Sequence, residues 1–80
     1  MKVGDLNSIS PYISFACVWA GNRDAAANER AKWIGDLTQN DVVIILDQNY
    51  SKGHVKAVDA LTLSKHGVGW IDGRDLKDVK

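Results

Sequence analysis

Apolar and polar residues along this chain fall into short runs bounded by turn chemistry, and most of these runs have the composition of strands. The densest is Val42-Val43-Ile44-Ile45-Leu46, largely β-branched and preceded by the turn Thr38-Gln39-Asn40-Asp41; it predicts a strand over 41–47. Tyr12 to Trp19 is aromatic, apolar and β-branched, which predicts a strand over 13–19 that Ala20-Gly21-Asn22-Arg23-Asp24 ends. Trp33, Ile34 and Leu37 anchor a third strand over 33–38, and the loose alternation from His54 to Asp59 a fourth over 54–59. The run Gly67-Val68-Gly69-Trp70-Ile71 predicts a strand over 67–71, and Asp72-Gly73-Arg74-Asp75 a 3₁₀ turn near 72–75. Gln48 to Gly53 is polar enough to be a loop.

Two stretches leave a choice. Ala25 to Lys32 contains good helix formers but is short and limited by Gly35, so one or two helical turns inside a long loop are expected. Residues 54–66 could form a helix closed by Gly67, with Lys65 and His66 suited to its carboxyl end. Valine and threonine are weak helix formers and the apolar face would be untidy, which favours two strands joined by a turn at Ser64-Lys65-His66-Gly67. Residues 1–11 read as an arm or short edge strand ahead of a single domain over 12–80.

Alternation also assigns faces. With Val43 and Ile45 inward, the core is expected to hold Ala16, Val18, Ile34, Leu37 and Ile71 as well. Val42 and Ile44 then point outward and need a cover. The arm, with Val3, Leu6 and Ile9, is the favoured one; a second copy, making a homodimer through Val42 and Ile44, is the other.

Eighty residues allow one small core. Ten basic and ten acidic residues cancel and are interspersed, which argues against a nucleic-acid partner, since such a partner needs clustered positive charge. No run has the length of a signal peptide or a membrane span, so the expected location is cytoplasmic, that of the host cell if the chain is phage-encoded. Cys17 is the only cysteine and lies in an apolar run, so no internal disulfide can form and a buried, unreactive thiol is expected.

The order of signals resembles the bacterial SH3-like domain, a small five-stranded barrel. The residues that carry the resemblance are Phe15 to Gly21, Trp33-Ile34-Gly35-Asp36-Leu37, Asn40 to Leu46, His54 to Val58, and Gly69-Trp70-Ile71 with Leu76, spanning roughly residues 15–78. It implies a mainly β fold: a five-stranded, partly open barrel with a 3₁₀ turn before the last strand. The chain departs from the family at Trp19, where an arginine is common, and at Asn22, where a proline is common. In the peptide-binding eukaryotic relatives a proline and a tyrosine of the final turn help form a groove for proline-rich ligands; Asp72 and Asp75 occupy those positions here.

Catalytic machinery is not legible. His54 and His66 are far apart and a lone Cys17 completes no zinc set. Gly67-Val68-Gly69 lacks the third glycine and the following helix of a phosphate loop. No enzyme activity, metal or cofactor is therefore expected. Three tryptophans in so short a chain are either core or contact residues. If Trp19 is outward it sits in a groove beside the long loop, and the candidate partner-binding residues are Trp19, Asn22, Trp33, Tyr50 and His54, on the surface between the 20–36 and 48–53 loops. The expected function is a non-enzymatic protein- or peptide-binding module, of a kind that suits a small phage or bacterial accessory protein. The alternative is a cell-wall or glycan-binding SH3-like module.

Overall fold

A computed structural model describes residues 1–51 and 57–79. Among these, seven strands form one antiparallel sheet: β1 (Leu6–Ile9), β2 (Ala16–Trp19), β3 (Trp33–Leu37), β4 (Val42–Tyr50), β5 (Val58–Ser64), β6 (Gly67–Asp72) and β7 (Leu76–Asp78). Their order is β3-β2-β6-β5-β4-β1-β7, and the sheet curls into a half-barrel around the core. One helical turn, α1 (Ala27–Arg30), interrupts the loop after β2, and a 3₁₀ turn (Gly73–Asp75) separates β6 from β7.

The expectation of a mainly β chain with a 3₁₀ turn before the last strand is met, but the strand count is seven rather than five. The extra strands are β1 and β7, which pair with each other, while β1 also pairs with β4 in the register Leu6↔Ile44, Asn7↔Val43, Ser8↔Val42. Neither has an apolar alternation to announce it: β1 buries Asn7 beside Ile9, and β7 is Leu-Lys-Asp. Both exist because β4 offers an unpaired edge whose backbone groups need partners. β4 itself runs on through Gln48–Tyr50, taken above for loop, because those residues pair with Val58, Asp59 and Ala60 of β5. The strand over 13–19 begins only at Ala16.

Of the expected strand over 54–59, residues 54–56 lie outside the described residues. From Val58 onward the chain forms β5, a two-residue turn at Lys65-His66 and then β6, so two strands and not a helix fill that part of the stretch. Gly67 has φ +92°, a conformation a side chain would strain, and it completes the turn.

Ile9, Val18, Leu37, Val43, Ile45 and Ile71 are the large residues of the core, with Ala16 and Ala60, and Ile34 packs against them. Six of the seven expected core residues are buried and Ile34 is half-buried; Ile9 and Ala60 complete the set. The arm thus gives Ile9 to the core. It does not lie over the outer face of β4: it pairs beside β4, and Val42 and Ile44 stay exposed at 50% and 38%.

Ile45 is fully buried between β1 and β5. Ile45→Ala should cost ~2–5 kcal/mol through lost burial and the cavity left behind, read as a fall in the urea midpoint at unchanged slope.

Candidate functional site

One bulge and one glycine bring the aromatic residues together. A bulge between Val18 and Trp19 puts Trp19 opposite Trp33 on β3, with Ile34 as the extra residue. On its other side Trp19 is paired with Trp70 of β6, and Trp70 with Leu61 of β5. The three tryptophans therefore form one cross-strand row over β3, β2 and β6, on the face opposite Val18 and Ile71. β2 and β6 can approach this closely because β6 has Gly69 at the contact; a Cβ there would collide with Val18.

Trp19 and Trp70 line a cleft of about 540 Å³. Phe15 and Cys17 line it beside them, the loop after β2 contributes Asn22, Arg23 and Arg30, and the far wall is Asp72 and Asp75 of the 3₁₀ turn.

A charged network fastens the loop to the sheet. Asp59 sits on β5 and is only 5% exposed. Arg23 grips it with three donors: the backbone N–H to Oδ2 at 2.9 Å, Nε to Oδ2 at 3.0 Å and Nη2 to Oδ1 at 2.8 Å. The same Nη2 lies 3.2 Å from Oδ2 of Asp72, the cross-strand partner of Asp59. Arg74 donates to the Asp72 carboxylate from Nη2 at 2.8 Å, and its backbone N–H caps the turn on Oδ1 at 3.0 Å. Arg30 donates to the Arg23 carbonyl at 3.1 Å, which ties α1 to the network.

The Asp72 and Asp75 carboxyls are driven apart. Burial pushes Asp72 upward, but the hydrogen bonds and charge of Arg74, with Arg23 behind them, outweigh it and hold the carboxyl below its ordinary value. Asp75 goes the other way: burial and then the Asp72 charge raise it, with Arg74 offsetting only part. Among the described residues no hydrogen-bond donor reaches the Asp75 side chain, so it faces the cleft as a partly desolvated, unpaired acid. The Cys17 thiol is also raised, first by burial and then by Asp36, which keeps it protonated and a poor nucleophile at neutral pH.

Of the residues singled out from sequence, Trp19 and Asn22 line this cleft. The Asn22 side chain accepts from the Asp24 N–H at 2.9 Å, a local turn that shapes the loop. Trp33 is more than half exposed on the edge strand β3, outside the cleft lining, with its indole N–H donating to Asp36 at 2.9 Å. Tyr50 lies at the end of β4, exposed, its hydroxyl donating to Gln48 at 2.9 Å, and does not line the cleft either. His54 lies outside the described residues. The cleft opens between the 20–32 loop and the 72–75 turn, and none of residues 48–51 lines it; residues 52 and 53 lie outside the described residues.

Trp70, Arg23, Arg30, Asp72 and Asp75 are among the lining residues that were not candidate binding residues from sequence. The available signal was Asp72 and Asp75 standing in the final turn, where the peptide-binding eukaryotic relatives of the resembled family build their groove. Among the described residues no group of three or more potential ligands could hold a metal ion, and no helix is long and apolar enough to cross a membrane. Compared with protein-family models, curated proteins and solved structures, the chain shows no match.

Removing the arginine leaves Asp59 buried without its cation, so Arg23→Ala should destabilise the fold by ~3 kcal/mol or more, measured by chemical denaturation at pH 7. For Asp75, a folded pKa above the unfolded one means that ionisation opposes folding as pH rises through the two values. Asp75→Asn should therefore raise Tm at pH 7 and leave it unchanged at pH 2, below both values. The gain should be on the order of a few tenths of a kcal/mol, because the carboxyl is only partly removed from solvent.

Proposed function

We propose that the chain is an SH3-like, partly open barrel that acts as a non-enzymatic binding module, taking a protein or peptide segment with a basic side chain into the Trp19–Trp70 cleft. The observation that carries this reading is the pairing of an aromatic floor with the unpaired Asp75 carboxylate. Tryptophan faces attract cations, and a lysine or arginine entering the cleft would supply the donor that Asp75 lacks. Asp59 and Asp72 are already held by Arg23 and Arg74, which leaves Asp75, among the described residues, as a free acceptor of the wall. The curled antiparallel sheet with a 3₁₀ turn ahead of its last strand supports the SH3-like reading of the fold.

A glycan is the second reading, since the same floor of Trp19 and Trp70 can stack on a sugar ring with Asp72 and Asp75 accepting from its hydroxyls. In that case soluble peptidoglycan fragments would saturate the site and basic peptides would not.

Titration of tryptophan fluorescence with a panel of basic, neutral and acidic peptides separates the readings. Basic peptides should bind, Asp75→Lys should abolish that binding, and Trp70→Ala should weaken it about tenfold or more. Tyr50→Ala, outside the cleft, should leave it within about twofold. A panel in which no basic peptide binds, or in which Asp75→Lys has no effect, would overturn the proposal.

A further inference from the structure

The outer face of β4 holds a second surface, independent of the cleft. Cross-strand register places Leu6 beside Ile44, Ile44 beside Leu63 and Leu63 beside Val68. These four make an unbroken apolar row across β1, β4, β5 and β6. Val42 and Leu46 extend it along β4 in both directions. All six side chains are between 38% and 53% exposed. Together they present on the order of 400 Å² of apolar surface, the scale at which a patch marks an interaction site.

The ends of this cross carry opposite charge. At the Val42 end, register aligns Ser8 with both Val42 and Lys77, which puts the Lys77 ammonium on the outer face there. Lys65 at the same end is neutralised by its pair with Asp41 at 3.1 Å, so Lys77 carries the positive charge of that end. At the Leu46 end a bulge between Ile45 and Asp47 turns Asp47 outward, opposite Leu61. No charged residue interrupts the row itself. The chain as a whole has a formal net charge of zero, so two copies meet without long-range repulsion.

We infer that this face is the interface of a two-fold dimer of the chain. The axis runs along the Leu6–Ile44–Leu63–Val68 row, so that the strands of the two copies pass in opposite directions. That operator sets Val42 against Leu46 of the second copy and the Lys77 end against its Asp47 end. A two-fold running along the strands would instead oppose like charges. Ile44 then faces its own counterpart, as residues on the axis of an isologous interface do. The area is also consistent: about 800 Å² per subunit is usual for a stable interface and about two thirds of it is apolar in homodimers, so this patch supplies most of the apolar part.

The experiment is sedimentation equilibrium of the whole chain at about 100 µM, a concentration that populates any dimer tighter than ~10 µM. The wild type should sediment at twice the chain mass. Ile44→Lys and Ile44→Glu should each sediment as monomers with an unchanged β-type circular dichroism spectrum, since the side chain lies outside the core. Mixed in equal amounts, the two variants should regain the dimer mass, because the lysine of one copy then faces the glutamate of the other. A monomeric wild type would overturn the inference without recourse to any variant. A dimer that either variant leaves intact, or a mixture that stays monomeric, would overturn the placement of the axis and with it the interface.

Discussion

The grip of Arg23 on Asp59 is the interaction on which the rest of the site depends. A carboxylate 5% exposed has lost most of its water, and a cation with hydrogen bonds to both oxygens replaces it. The cation comes from a loop 36 residues earlier in the chain, and it brings its own backbone N–H to the same carboxylate. Fixing Arg23 fixes the loop around it. Arg30 holds the Arg23 carbonyl, and Asn49 at the end of β4 donates to Asp24 at 2.8 Å. A segment that would otherwise be a polar excursion with one helical turn becomes the wall of a cleft.

The opposite wall is built by short-range means. Asp72 caps the 3₁₀ turn through the Arg74 N–H and binds the Arg74 guanidinium, two residues away. The two walls meet where Arg23 also reaches Asp72. Charge therefore accumulates around an aromatic floor without any of it being wasted, except at Asp75. Burial raises its carboxyl pKa and Arg74 offsets only part of that, and incompletely compensated polarity facing a cleft is where a ligand gains most.

The sheet separates two surfaces of different character. Inside, Val43, Ile45, Val18 and Ile71 close the core. Outside, the Trp33–Trp19–Trp70 row and the Leu6–Ile44–Leu63–Val68 row run side by side across the strands. The first is bordered by the ion-paired loop and forms a cleft; the second has no loop beside it among the described residues and carries opposite charges at its two ends. A concave, polar-rimmed aromatic site suits a small ligand group, whereas an uncovered apolar row suits a broad partner surface.

What the sequence by itself determined was local. Period-two geometry put Val43 and Ile45 on one face of β4 and Val42 and Ile44 on the other without knowledge of the partner strand, but in a run apolar throughout only the tertiary structure showed that the first pair is the buried one. Gly67 marked the β5–β6 turn and Asp72-Gly73-Arg74-Asp75 the 3₁₀ turn, both through chemistry contained within four residues. Only the tertiary structure decided that β1 and β7 are strands at all, since their pattern is weak and the hydrogen bonds that make them strands come from β4 and from each other. It also decided that Trp19 meets Trp70 and that Asp59 is paired. A bulge, a glycine at a close approach and an ion pair spanning 36 residues are long-range conditions, and nothing in the neighbouring residues encodes them.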